Sequence, residues 1–289
     1  MPQSTPILIF GGRGMLAQAL LGQYAAANRP VTPLSRRDCD ITRPDHIAAA
    51  FAGHKPRIAI NCAAYTAVDA CEVDPESAEA TNTEGVGLLA RAARAADCFL
   101  VHVSTDAVFD GRGERPCRPD DPVNPLSTYA RSKLGGEQML QANAPPRWMI
   151  VRTAWLFGVG GVSFPRTIIE KARTGQALNV VNDQFGSPTY CDDLAAAMIK
   201  LIDQERTGIW HVANAGQANW HELAVATLEE MGLNVPVQPI STEQWIAMRP
   251  NQAIRPRYTV LDISAVNAAA GPMRHWRQAL GDYCRRMQS

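Results

Sequence analysis

The feature that most constrains this chain is the way its first apolar run ends. Pro6-Ile7-Leu8-Ile9-Phe10 stops at Gly11-Gly12-Arg13-Gly14, and a segment of helical character, Met15–Ala27, begins at once. A strand that turns through glycines into a helix presents free backbone N–H groups at the helix start, with no side chain to keep a ligand away. The spacing parses as Gly-x-Gly-x-x-Ala from Gly12, or as Gly-x-x-Gly-x-x-Ala from Gly11. In both, Ala17 is the small residue that close helix–sheet packing requires. The turn predicts pyrophosphate binding. Its position, after the first strand and opening the first helix, argues against a glycine-rich turn without a ligand.

The rest of the first half repeats this alternation. Strands are expected at Pro30–Leu34, Arg57–Asn61, Phe99–Val103 and Trp148–Thr153, and helices at Asp45–Ala52, Glu76–Ala96 and Leu126–Leu140. Strands that are apolar throughout and separated by helices imply a parallel sheet covered on both faces. Right-handed crossovers make that a doubly wound, Rossmann-type α/β sheet. After about residue 155 the pattern loosens. Short strands (Leu178–Val181, Ile209–Val212, Val235–Ile240) alternate with helices (Phe164–Thr174, Cys191–Gln204, Trp220–Met231). A proline-bearing stretch, Arg249–Arg257, then precedes a final helix over Ala265–Arg286. We therefore expect a nicotinamide-dinucleotide-binding domain over residues 1–155. A smaller mixed α/β substrate lobe over 156–289 would complete a pocket above the C-terminal strand ends, with the chain able to cross between the two.

Charge and cysteine usage narrow the function classes. The formal net charge of the 289 residues is zero, which gives no global electrostatic case for nucleic acid or for an anionic membrane. Arginine supplies 24 of the 28 cationic side chains, favouring bidentate phosphate and carboxylate contacts. The seven cysteines are scattered, without Cys-x-x-Cys or zinc spacing, and Cys62 and Cys98 lie in apolar runs as expected core residues. The N-terminus lacks the basic region of a signal peptide, and no apolar stretch approaches the ~18 residues needed to span a bilayer. A cytoplasmic protein is expected.

Two further clusters carry chemistry. At the end of the second strand, Leu34-Ser35-Arg36-Arg37 places no carboxylate before Asp38. An NAD site usually has an acidic residue there for the ribose 2′-hydroxyl, so a serine and two arginines suit the 2′-phosphate of NADPH better. NADH is the alternative cofactor, and plain surface charge the alternative reading of the arginines. Further on, Ser104-Thr105-Asp106 closes the fourth strand, and Tyr129-x-x-x-Lys133 follows on the next helix. Four residues apart, Tyr129 and Lys133 share a helix face, where the ammonium is expected to lower the phenol's pKa and make it a usable acid or base. A packed tyrosine beside a solvated lysine is the alternative.

With these motifs in this order, the chain resembles the extended short-chain dehydrogenase/reductases. Further segments narrow the resemblance to the dTDP-4-dehydrorhamnose reductase family. They are Asp40-Ile41-Thr42, the run Asn61 to Asp69, Val108-Phe109-Asp110-Gly111, the run Arg152 to Gly158, the run Val181 to Thr189, and Arg255-Pro256-Arg257-Tyr258-Thr259 with Leu261-Asp262. The resemblance implies Thr105, Tyr129 and Lys133 as the catalytic set. It places Gly11, Gly14, Met15 and Leu16 at the cofactor pyrophosphate, and Arg36, Asp40 and Ile41 at the adenosine end. Ala63, Ala64 and Tyr65 would lie along the nucleotide and Lys133 at the nicotinamide ribose. Thr66, Val68, Asp106 and Trp155 would face the sugar, and Asn182, Gln184 and Arg255 the rest of the nucleotide sugar. A tryptophan after a strand is equally often a core residue, and Trp155 is open to both readings.

The implied reaction is NADPH-dependent reduction of the C4 carbonyl of a dTDP-linked 4-keto-6-deoxy sugar. Ala107 departs from the family pattern, which has an aromatic residue after Ser-Thr-Asp, and so leaves the particular sugar open. The related 4,6-dehydratases carry an Asp-Glu acid/base pair there, so dehydration is not expected. A nucleotide-sugar epimerase and a non-catalytic NADP-binding regulatory subunit are the competing readings. Some family members dimerise around magnesium held by acidic residues near the first helix. Ala17-Gln18-Ala19-Leu20 offers no carboxylate, so we expect no structural metal, and either a monomer or a homodimer.

Overall fold

A computed structural model describes residues 5–249 and 252–288. The reading of the first four residues, and residues 250–251 of the proline-bearing stretch, lie outside them. Twelve strands follow in chain order: β1 (Ile7–Phe10), β2 (Val31–Leu34), β3 (Ile58–Asn61), β4 (Phe99–Thr105), β5 (Trp148–Thr153), β6 (Leu156–Phe157), β7 (Leu178–Val181), β8 (Phe185–Gly186), β9 (Thr189–Tyr190), β10 (Gly208–His211), β11 (Ala218–Asn219) and β12 (Val237–Ile240). The helices are α1 (Met15–Ala26), α2 (Pro44–His54), α3 (Val68–Val73), α4 (Pro75–Glu79), α5 (Gly85–Ala95), α6 (Thr128–Ala142), α7 (Phe164–Ala172), α8 (Cys191–Asp203), α9 (Trp220–Met231), α10 (Thr242–Met248), α11 (Ser264–Ala270) and α12 (Trp276–Gln288).

Six strands form one parallel sheet in the order β10-β5-β4-β3-β1-β2. Side chains alternate between its faces. Ile7, Ile9, Ile58, Ile60, Val101 and Val151 meet α1 and α8 on one side. Leu8, Phe10, Ala59, Leu100 and Ile150 meet α2, α5 and α6 on the other. Burying each such Ile or Leu stabilises the fold by about 1.5–3 kcal/mol. Pro33 sits in β2, the edge strand, where a missing N–H costs no ladder bond.

The chain crosses back after residue 155: β10 adds to the sheet beside β5, and α8 packs its Leu194, Met198, Leu201 and Ile202 on α1. α11 joins the same layer, with Val266 and Ala270 in that core, and the remainder forms the second layer, where β7 pairs β12, β6 pairs β9, and β8 pairs β11. α9 starts with an Asn219–Glu222 capping box and ends at Gly232 in the left-handed conformation, which satisfies both termini.

Two departures from the sequence expectation have local causes. The helix expected over Ala265–Arg286 is broken into α11 and α12 at Gly271-Pro272, where Gly271 has φ +90°. The helix expected over Glu76–Ala96 contains a π-helical turn, Ala80–Glu84, between α4 and α5. Its buried Asn82 accepts from Tyr65 N–H (2.8 Å) and donates to Tyr65 O and to Ser132 Oγ (both 3.0 Å), locking the loop after β3 to α6.

Candidate active site

The strand order reverses between β1 and β3, and a doubly wound sheet opens its binding crevice at the carboxyl ends of the strands at such a point. Here the two loops nearly touch. A Cβ on Gly11, which has φ +74°, would lie 2.6 Å from Ala63 N. Gly12 N–H donates to Leu34 O (2.9 Å), and the Gln18 side chain donates to Gly12 O (2.6 Å), fixing the turn from both sides. α1 then starts at Gly14 with no side-chain cap and no acidic residue in its first turn, so its N–H groups and dipole face the crevice unopposed.

A cavity of about 430 Å³ lies over this turn, lined by Gly11, Arg13, Gly14, Arg36, Asp40, Ile41, Ala63, Ala64 and Tyr65, among others. Ser35 is not free to bind a phosphate as its position suggested: both its N–H and its hydroxyl donate to Asp38 (2.8 and 2.6 Å). Arg36 is paired with Asp40 (3.0 Å). Arg13 and Arg37 also line the cavity, and Arg13 was absent from the sequence expectation although it stands inside the glycine turn. A backbone cradle, a helix N-terminus and three arginines fit a dinucleotide bearing a 2′-phosphate.

A second cavity of about 580 Å³ shares Arg13, Gly14, Cys62 and Ala64 with the first, so the crevice is continuous. Cys62, expected in the core, lines both because it lies just past the end of β3, while Cys98 is buried as expected. The second cavity gathers Met15, Leu16, Thr66, Thr105, Tyr129, Lys133 and Trp155 from five segments of the chain. Ser127 caps α6 through its bond from Ala130 N–H (3.2 Å), which sets Tyr129 and Lys133 in the first helical turns, facing β4.

Thr105 donates to Asp106 Oδ1 (3.1 Å), and Ala107 N–H donates to Thr105 Oγ1. The Tyr129 phenol is hydrogen-bonded to Thr105, so the two hydroxyls share one corner of the cavity. Asp106 is buried and also receives Thr259 Oγ1 (2.5 Å); burial raises its pKa to about 6 against these bonds. It orients Thr105 and lines neither cavity.

The electrostatics differ from the sequence expectation at one point. Burial raises the Tyr129 phenol pKa, with the Thr105 bond opposing, and the Lys133 ammonium does not lower it. The lysine instead donates to Val103 O at 2.7 Å. Burial brings the Lys133 pKa down to about 8, with Glu137 pulling upward. Beneath it lies a polar network that sequence reasoning missed. Arg152 on β5 binds Glu137 on α6 through two bonds (2.7 and 2.9 Å), with the two side chains 4% and 1% exposed. Ser104 Oγ donates to the same carboxylate (2.5 Å). Asn61 accepts Ala63 N–H, so its amide faces His102 Nδ1 (3.1 Å), and His102 Nε2 lies 3.5 Å from Lys133 Nζ. Burial, then the Lys133 charge, hold His102 neutral.

A third cavity, about 310 Å³, lies in the second layer. Phe164, Trp220 and Trp245 line it together with Lys171, Gln184, Arg249 and Arg255. Arg255 is paired with Asp69 (2.9 Å). Gln184 is buried, Asn182 is exposed, and neither Asn182 nor Val68 lines any of these three cavities. Trp155 lines the second cavity and also packs against Trp220, so it serves as wall and as core.

A family model described as the RmlD substrate binding domain matches residues 5–289. The chain belongs to this family. Among its RmlD-family relatives, a dTDP-4-dehydrorhamnose reductase of Mycolicibacterium smegmatis is 42% identical, covering 96% of this chain and 84% of that one. A dTDP-4-keto-6-deoxy-D-glucose reductase of Streptomyces niveus is 36% identical over 94% of each chain. The solved structure of a dTDP-4-dehydrorhamnose reductase from Bacillus anthracis in complex with NADP matches with a TM-score of 0.93. It is 30% identical and covers 99% of this chain and 100% of that one.

Proposed function

We propose that this protein reduces the C4 carbonyl of dTDP-4-dehydro-6-deoxy-L-mannose to give dTDP-L-rhamnose, using NADPH. The observation that carries this reading is the meeting of Thr105, Tyr129 and Lys133 in a cavity continuous with the glycine cradle, in an RmlD-family chain. NADPH, when bound, supplies the hydride. The cradle of Gly11, Gly14 and the α1 N-terminus would hold its pyrophosphate, Arg13 and Arg37 its 2′-phosphate, and Lys133 its nicotinamide ribose.

The chain's own residues supply the proton and the charge. Burial keeps the Tyr129 phenol protonated until an alkoxide, a much stronger base than a phenolate, develops beside it. Tyr129 then gives its Oη proton to that oxygen, while Thr105, fixed by Asp106, hydrogen-bonds it. The Lys133 ammonium, on the wall of the same cavity, would hold the nicotinamide ribose in place for that transfer. The aromatic third cavity suits the thymine ring, and Lys171, Arg249 and Arg255 on its wall suit the diphosphate. Seven free cysteines, six of them buried, support a cytoplasmic location.

Ala107 favours a second reading within the same chemistry, reduction of another dTDP-linked 4-keto-6-deoxy sugar. One assay tests both: NADPH oxidation at 340 nm (a standard optical readout) with a panel of such sugars. Oxidation with the rhamnose precursor is the expected result. Tyr129→Phe should lower kcat at least about a hundredfold, within the range for a lost general acid, with NADPH binding retained. No oxidation with any 4-keto sugar would refute the reading.

A further inference from the structure

We propose that Trp220 is a positioning residue for the reduction, carrying occupancy of the aromatic nucleotide cleft to the Trp155 indole in the catalytic cavity. The inference rests on the nucleotide-sugar reading above. Trp155 lines the cavity that holds Thr105, Tyr129 and Lys133, and does not line the aromatic cleft. Trp220 lines the cleft and not the catalytic cavity. The two indoles are stacked with centroids 3.5 Å apart and planes within 7°, so this one contact joins the two compartments.

Both ends of the stack are held in place, and the Trp220 end is held by residues of the cleft wall. Trp155 has φ +46°, a conformation that a bulky residue keeps only where its surroundings impose it. The surroundings here are the Trp220 ring, Gly186, and the Thr189 N–H donated to Trp155 O (3.2 Å). A Cβ on Gly186 would lie 2.4 Å from the indole, so the ring rests directly on backbone.

Trp220 is fixed in turn. Its Nε1 donates to the buried Gln184 Oε1 (3.1 Å), and Gln184 Nε2 donates to Thr242 Oγ1 (3.0 Å). Thr242 donates its hydroxyl to Asp183 (2.6 Å) and opens α10, the helix that carries Trp245 and Ile246 on the cleft wall. A ligand seated against α10 therefore presses on the same hydrogen-bonded line that sets the angle of Trp220, and through it that of Trp155. A nucleotide sugar filling both compartments gains a rigid indole wall at its reacting sugar.

A double-mutant cycle read in steady-state kinetics tests this, with NADPH and the 4-keto sugar that the unaltered enzyme turns over. Trp220→Leu is expected to lower kcat about tenfold, more than it changes KM, and Trp220→Phe, which keeps a ring, to restore most of the loss. In a Trp155→Leu background, Trp220→Leu is expected to cost less than about twofold, because its route of action is gone. NADPH affinity, read by fluorescence titration, is expected to be unchanged and reports that the variant is folded. If Trp220→Leu does not fold, Gln184→Leu, which keeps the ring and removes its anchor, is expected to give the same pattern. Equal losses in both backgrounds, or a change in KM alone, overturn the inference. Absence of turnover by the unaltered enzyme overturns the substrate reading and this inference with it.

Discussion

Replacing Glu137 by alanine leaves the Arg152 guanidinium buried with the Pro119 carbonyl at 3.2 Å as its remaining acceptor. Removing one partner of a buried ion pair costs about 3–5 kcal/mol, and the Ser104 hydroxyl, which loses its acceptor, adds about 1 kcal/mol. For a chain of this size each kcal/mol lowers the melting temperature by roughly 2 °C, so Glu137→Ala should melt about 8–12 °C below the parent. The double variant Glu137→Leu/Arg152→Met removes both charges and should recover most of that loss.

The catalytic consequence is separate. Glu137 raises the Lys133 pKa against burial, and His102 and Cys62 are the other titratable groups against the lysine from β4 and from the end of β3. Without Glu137 the lysine pKa falls below about 8. Its ammonium is then lost at lower pH, and the alkaline limb of the kcat/KM profile should move acidward in both the single and the double variant. Differential scanning fluorimetry and a pH–rate profile check the two halves. Single variants Glu137→Ala and Arg152→Met that melt within about 2 °C of the parent would show that the pair is open to water, against the geometry.

The other expectations concern the turn and the carboxylate under Thr105. Gly11→Ala forces a Cβ to within 2.6–2.9 Å of three backbone atoms of Cys62 and Ala63 at a φ of +74°, so the loops after β1 and β3 must part. Strain and overlap together should cost about 2–5 kcal/mol and abolish tight NADPH binding, measured by titration; an unchanged dissociation constant would remove the turn from the cofactor site. Asp106 has a folded pKa of about 6 against 3.8 unfolded, so the folded state binds the extra proton between those values. Its contribution to stability is present below pH 3.8 and lost as pH rises through about 6. Asp106→Asn should therefore gain on the parent by up to roughly 3 kcal/mol from pH 4 to 7 in denaturant titrations, and parallel curves would contradict the assignment.

The sheet was legible because its strands are apolar on both faces, so Leu8 and Ile9 or Leu100 and Val101 read as one buried run. The helical breaks were less so. Gly271-Pro272 is a stop signal that the apolar periodicity on either side obscured, and the short helices α3 and α10 are fixed by tertiary contacts such as Thr242 on Asp183. Within the site, residues on one turn or one helix could be read from spacing. Trp155 and Trp220 lie 65 positions apart, and only the folded chain brings their rings together. Arg152 carried a usable signal: an arginine inside a strand that is otherwise buried requires a buried anion, although its sequence does not say that the anion is Glu137.

The return of β10 and α8 to the first layer has a consequence for how this chain is made. During synthesis, the apolar stripe of α1 (Leu16, Ala17, Leu20) is covered by the sheet alone until Leu194, Met198, Leu201 and Ile202 have left the ribosome. The edge of β5 stays unpaired until residue 211 follows. A fragment ending near residue 155 would display a sticky helix face and an open strand edge, so it should aggregate rather than bind dinucleotide by itself. The half that carries the glycine turn is thus completed by the half that follows it, and the two are best thought of as one folding unit.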